Sequence, residues 1–262
     1  MQNIDILTHF TEIARADRVT VYTLKDVERA AFMAKLPLPF RTMYVSDDQL
    51  LWLQNNTGGA RTDDIAEKIP SDPVLMSGEF GELLAYFLMP ERYAPGSDLR
   101  PPKWRWKEAK NFAAHFTDVI FFHQSTPNVP AIDDFVVSIE TKTRATRPGA
   151  TESSLQKAIN DVEKDFNSRL AESFFHVKTK YKDEHDLISL AKLGRFMDAA
   201  RFPQYSKHFK ALAVVDDAFA DHHIDNITQW PVYIRDSFEV VLVRITSLKD
   251  GYEQTYQDIL GT

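Results

Sequence analysis

The chain has 262 residues, 44% hydrophobic and 26% charged, with no cysteine and a net charge of −7. That balance suits a folded protein with a substantial core; the lack of cysteine excludes disulfides and thiolate zinc sites, and the net charge counts against a sequence-specific, groove-filling DNA binder. No apolar run approaches the ~20 residues of a membrane helix, and Met1-Gln2-Asn3-Ile4-Asp5 lacks the basic start and apolar stretch of a signal peptide, so no membrane contact and a cytoplasmic location are expected.

In chain order, the first seventy residues mix short helical and strand patterns. Val19–Leu24 and Thr42–Val45 are the candidate strands there, and Asn55 to Arg61 is a loop of turn formers. From Pro73 the pattern sharpens. Met76, Phe80, Leu83, Leu84, Phe87 and Leu88 recur at helical spacing and predict an amphipathic helix over Val74–Met89. A loop from Pro90 to Pro102 follows. Lys103–Lys107 (KWRWK) alternates as a strand would, and further strands are predicted at Thr117–Gln124 and Asp134–Thr143. After a loop from Arg144 to Glu152, Ser153–Leu170 reads as a long helix with Leu155, Ile159, Val162 and Phe166 on one face, and His185–Ala200 as another helix. Lys210–Val215 and Phe238–Ile245 are β-branched and read as buried strands. This order predicts an α/β layered fold with a mixed sheet. Residues 1–72 are expected to form an N-terminal α/β region and residues 73–262 the main domain.

On the strand over Phe135–Lys142, side chains alternate. Phe135, Val137, Ile139 and Thr141 share one face, and Val136, Ser138, Glu140 and Lys142 the other. An acid and a base at the end of an apolar strand cost desolvation unless they pair or bind something. An isolated Glu-x-Lys is most simply an ion pair. Here Asp118 begins the preceding strand, and Glu79 and Glu82 lie near the start of the preceding helix. Such carboxylates suit Mg²⁺, with Mn²⁺ as a substitute. The metal polarises a phosphate and acidifies water, while lysine orients the water and offsets phosphate charge. A chance ion pair instead predicts that Asp118 and Glu140 lie far apart.

The ordered set Glu … Asp … Glu-x-Lys resembles the PD-(D/E)XK nuclease superfamily. Gly78-Glu79-Phe80-Gly81-Glu82-Leu83-Leu84, Thr117-Asp118-Val119-Ile120 and Ile139-Glu140-Thr141-Lys142 are similar, more narrowly, to the HamA nucleases of Hachiman anti-phage systems. The resemblance covers roughly Val74 to Glu163. Thr117 and Ile139 stand where that family often has glycine. The resemblance implies a restriction-endonuclease-like core of mixed sheet flanked by helices, with additions at both ends, acting as a Mg²⁺-dependent deoxyribonuclease in antiviral defence. Asp118, Glu140 and Lys142 would be catalytic, with the two carboxylates on metal. Spacing to the following leucines favours Glu82 as the helix residue, whereas Glu79 sits closer to the apolar face, and both remain candidates. The implied partners are DNA and a HamB-like superfamily 2 helicase, since the chain has no phosphate-binding G-x-x-x-x-G-K-[ST] loop of its own. Residues 1–72 and the C-terminal third are natural docking regions. A non-catalytic DNA-sensing or adaptor subunit is the alternative.

Lys103, Arg105 and Lys107 form either a phosphate-gripping strip or the wet face of an ordinary strand. Arg144 and Arg147 extend the motif strand into a basic loop, by default a solvated one, and Gln156 opens the next helix, either as an ordinary polar residue or in the place where a glutamine in related nucleases can help orient substrate. These six are the candidate nucleic-acid contacts. His222, His223 and Asp225 read as a surface turn, and Asp161 to Asp165 as the wet face of a helix.

Overall fold

The computed structural model describes residues 4–15, 19–93, 98–114, 116–127, 129–198, 204–231 and 238–262. Strands β1 (Phe10–Ala14) and β2 (Val19–Leu24) pair antiparallel and lead into α1 (Arg29–Lys35), α2 (Pro37–Tyr44), α3 (Asp47–Thr57) and α4 (Arg61–Ala66). The long helix α5 (Pro73–Tyr93) precedes β3 (Asp98–Leu99), a 3₁₀ turn at Lys103–Trp106, β4 (Val119–His123) and β5 (Phe135–Arg144). Helix α6 (Ser154–Lys164) continues through a π turn (Asp165–Arg169) into α7 (Leu170–Asp183). Then come α8 (Leu187–Met197), β6 (Ser206–Asp216), α9 (Ala220–Asp225), β7 (Phe238–Ile245) and α10 (Leu248–Ile259).

The described strands form one seven-stranded sheet in the order β1-β2-β7-β6-β5-β4-β3. β2, β7, β6 and β5 run parallel, and the pairs at both edges are antiparallel. The sheet separates two apolar layers. Helices α1, α2, α5 and α10 cover one face, where Phe80, Leu83, Leu84 and Phe87 meet Phe121, Val137, Ile139, Leu212 and Val241. Helices α6 to α9 cover the other, where Leu155, Ile159, Val162 and Phe174 meet Phe122, Val136, Ala211, Ala213 and Leu242. Strands buried on both faces are expected to be near-continuous in Val, Ile and Leu, as β6 and β7 are. Residues 4–72 contribute β1 and β2 to this same sheet and α1 and α2 to its first helical layer.

The fold is the α/β mixed sheet expected, with local departures. Thr42–Val45 ends helix α2 instead of forming a strand. Phe40, Met43 and Tyr44 are buried at helical spacing behind Pro37 at the helix start. Lys103–Lys107 is also not a strand. The chain arrives from Pro101-Pro102 and turns at once, burying Trp104. Helix α5 runs through Pro90 to Tyr93, beyond its predicted end at Met89. The helix expected at Ser153–Leu170 extends to Asp183 with a π turn inside it, and Phe166, expected in the core, is 43% exposed. Residues 94–97 of the expected loop and 199–200 of the expected helix lie outside the described residues.

Candidate active site

Strand β5 lies between β4 and β6, with Val119 opposite Ile139. This register sets Asp118, just before β4, against Glu140. The Asp118 backbone N–H donates to Glu140 Oε1 at 3.4 Å, and Asp118 Oδ2 accepts from the Thr141 N–H at 2.8 Å. Asp118 and Glu140 are therefore neighbours, and the chance-pair reading fails. Lys142 Nζ stands 4.0 Å from Asp118 Oδ2 and 3.9 Å from Glu140 Oε2.

Helix α5 brings Glu82 from the other side of the sheet edge. The approach is close because position 81 is glycine. A Cβ there would meet Thr143 Oγ1 of β5 at 2.0 Å, whereas a Cβ on Gly78 would meet nothing within 4 Å. Of the two Gly-Glu pairs, only Gly81-Glu82 is thus built into the helix–strand contact. Glu82 Oε2 accepts from Lys103 Nζ at 3.0 Å and from Trp104 Nε1 at 3.2 Å, and Lys103 Nζ lies 4.0 Å from Asp118 Oδ1. Glu79 points elsewhere. It is 2% exposed, held by Lys107 Nζ at 2.5 Å and by the Tyr44 hydroxyl at 2.7 Å, with the Tyr256 hydroxyl behind. Its oxygens are committed to a buried network that ties α2 and α10 to α5.

Electrostatics mark the same centre. Burial and the neighbouring Asp118 and Asp165 carboxylates push the Glu140 carboxyl up to about 9, against the opposing pull of Arg169 and Lys142. Burial also raises Glu82, to about 7, with Lys103 opposing and Asp118 and Glu79 adding. Lys103 and Lys142 are raised despite burial, because the carboxylates around them favour the ammonium.

Three anchored carboxylates each keep one oxygen that accepts no hydrogen bond among the described residues: Glu82 Oε1, Asp118 Oδ1 and Glu140 Oε2. Hard oxygens of this kind fit Mg²⁺ or Mn²⁺, and Mg²⁺ needs only one or two carboxylates beside its waters and a phosphate. Asp118 and Glu140 would meet that minimum. Among the described residues, no three acidic or imidazole groups already form a metal-holding cluster. Glu82 and Glu140 approach from opposite sides of the sheet edge, and Lys103 stands between Glu82 and Asp118.

The expected basic strip is not a strip. Lys107 is spent on Glu79, Arg105 donates to the Thr42 carbonyl at 2.6 Å, and Lys103 faces the carboxylates. Arg144 caps its own loop through the Thr146 and Arg147 carbonyls, while the Arg147 side chain is exposed. The Gln156 side chain clamps the 228–229 backbone, accepting from both N–H groups at 2.8 and 2.9 Å, so its amide is engaged within the fold. His223 is fully buried rather than on a surface turn. Its Nδ1 accepts from the Ser154 N–H, and its neighbour His222 bonds the Gly149 and Glu152 carbonyls.

Sequence reasoning missed a second wall. Asp161, Asp165 and Arg169 are not wet residues. Asp165 is 1% exposed and accepts from Ser138 and Thr117; Asp161 Oδ2 holds Lys142 Nζ at 2.7 Å; Arg169 Nη2 holds Glu140 Oε1 at 2.6 Å. Their i, i+4 spacing on the helix after Glu-x-Lys was the available signal.

The HamA family model matches residues 5–259, nearly the whole chain. No curated protein matches it. No helix among the described residues is long and apolar enough to cross a membrane.

Proposed function

The chain belongs to the HamA family, and from that premise we propose that it is a metal-dependent nuclease cleaving DNA phosphodiesters in Hachiman-type anti-phage defence, under the control of a partner helicase. The observation that carries this reading is the juxtaposition of Asp118 and Glu140 at the sheet edge, with Lys142 within 4.0 Å of both. Asp118 Oδ1 and Glu140 Oε2 would hold Mg²⁺, and Glu82 would complete the centre from α5 once Lys103 gives way. Mg²⁺ bound there supplies polarisation of the scissile phosphate and a more acidic water.

The chain's own groups do the rest. Asp118 is fixed by the Thr141 N–H and Glu140 by Arg169, so both carboxylates are oriented before substrate arrives. Lys142 is held beside both by Asp161, where its ammonium can orient the attacking water and offset charge growing on the phosphate. Lys103, also at the centre, supplies a second positive charge on the opposite flank. Exposed Arg147 in the adjoining loop is available to the DNA backbone.

The second reading, a non-catalytic DNA-sensing or adaptor subunit, draws on Lys103 and Arg169 already neutralising Glu82 and Glu140. The two readings part in one experiment. Linear DNA is incubated with wild type and with Asp118→Ala in Mg²⁺ or in EDTA, alone and with the helicase and ATP. Cleavage that needs both Mg²⁺ and Asp118 supports the nuclease. Tight DNA binding indifferent to EDTA, with no cleavage in any combination, supports the adaptor.

A further inference from the structure

Helix α6 and the π turn that follows it contribute three charged side chains, Asp161, Asp165 and Arg169, to the back of the candidate centre, none of them part of the Glu … Asp … Glu-x-Lys set. We propose that Asp161 and Arg169 are positioning residues for the nuclease centre, Asp161 aiming Lys142 and Arg169, braced by Asp165, aiming Glu140. This rests on the nuclease reading and deepens it.

The geometry is specific. Lys142 Nζ is 2.7 Å from Asp161 Oδ2 but 3.9–4.0 Å from Glu140 and Asp118, so Asp161 sets where the ammonium sits. Arg169 bridges two carboxylates that would otherwise repel. Its Nη2 takes Glu140 Oε1 at 2.6 Å and its Nε takes Asp165 Oδ1 at 2.5 Å, and the same Nη2 donates to the Asp161 carbonyl at 3.1 Å. Holding Oε1 leaves Glu140 Oε2 directed to the Lys142 side. Asp165 in turn accepts from Ser138, two residues before Glu140, and from Thr117 Oγ1, one residue before Asp118, at 3.2 Å. Ser173 closes the set, accepting from the Thr117 N–H and donating to the Arg169 carbonyl. Both motif strands are thereby tied to one helix.

The π turn has a place in this. Every fourth residue on an α-helix slightly overshoots a full turn, so 161, 165 and 169 would drift around the surface. The wider π turn at Asp165–Arg169 takes up the overshoot and keeps all three facing β5.

The test uses Asp161→Asn, Arg169→Met and Arg169→Lys in the full chain, each first checked for wild-type circular dichroism. Mn²⁺ affinity is measured without DNA, and labelling of Lys142 by an amine-reactive reagent is followed by mass spectrometry. Cleavage is measured separately. Arg169→Met is expected to weaken Mn²⁺ binding about tenfold or more, with partial recovery in Arg169→Lys. Asp161→Asn is expected to label Lys142 several-fold faster and to lower kcat about tenfold, leaving KM and Mn²⁺ affinity near wild type. Wild-type Mn²⁺ affinity in Arg169→Met, or unchanged Lys142 labelling in Asp161→Asn, overturns the proposal, as does a wild type that binds no Mn²⁺. A wild type that binds Mn²⁺ yet cuts no DNA overturns the nuclease reading instead, while the binding and labelling arms still decide the roles of Arg169 and Asp161.

Discussion

At the scale of single residues, the centre is built against its own stability. Glu82, Asp118, Glu140 and Asp165 crowd one strand end, and burial plus mutual repulsion raises Glu82 and Glu140. Asp118→Asn keeps an oxygen to accept the Thr141 N–H and removes one charge. In EDTA this variant is expected to melt a few degrees above wild type while losing cleavage, the trade expected where function holds like charges together. An unchanged or lower melting temperature contradicts the electrostatic account. His223 gives the pH counterpart. Its burial and the neighbouring His222 hold it down to about 4, and its Nδ1 must stay unprotonated to accept from Ser154. The unfolded chain binds this proton near pH 6.5 and the folded one only near 4, so stability falls as pH drops through that window. The loss is about 2 kcal/mol between pH 6.5 and 5. Denaturant unfolding of His223→Asn at the two pH values is expected to show a correspondingly smaller difference than wild type. Little of this was legible in the sequence. Glu140-x-Lys142 and Asp118 could be read from alternation and order, but Asp161 and Asp165 looked like solvated helix charges because they lie beside the apolar stripe of Leu155, Ile159 and Val162, and no local pattern reports that their partners stand on β5.

At the scale of elements, the contact between α5 and β5 decides the site. Gly81→Ala drives a methyl into Thr143, an overpacking that costs typically about 1–3 kcal/mol, and pushes Glu82 away from Asp118. Combining it with Thr143→Ala removes the clashing hydroxyl and is expected to restore most of the melting temperature, while Gly78→Ala, with open space around its Cβ, leaves it unchanged or raises it. Failure of the Thr143 change to rescue would mean the close approach is not what position 81 serves. The sequence left Glu79 and Glu82 open for a related reason. Both follow glycine at the start of one helix, and only the partner surface distinguishes them. The KWRWK segment misled in the opposite way. Its alternation is real, but the preceding prolines turn the backbone, and its lysines and arginine find acceptors within the fold instead of solvent.

At the scale of the whole molecule, the sheet joins distant parts of the chain. Val19–Leu24 was readable as a strand, yet its partner β7 lies more than two hundred residues later, with Val19 opposite Val240, and no periodicity reports a non-local pairing. The same holds for Tyr44 and Tyr256, which meet across the molecule at Glu79. This buried link runs from α2 and α10 to the helix that carries Glu82.

The measurement that bears most directly on the proposed nuclease activity is cleavage of plasmid and linear DNA in Mg²⁺, with and without the proposed helicase subunit and ATP, by wild type and by the Glu140→Ala/Lys142→Ala double variant. The account predicts cleavage by wild type that disappears in the double variant, with folding and complex formation intact. Equal cleavage by both proteins, or none by wild type in any combination, would contradict it.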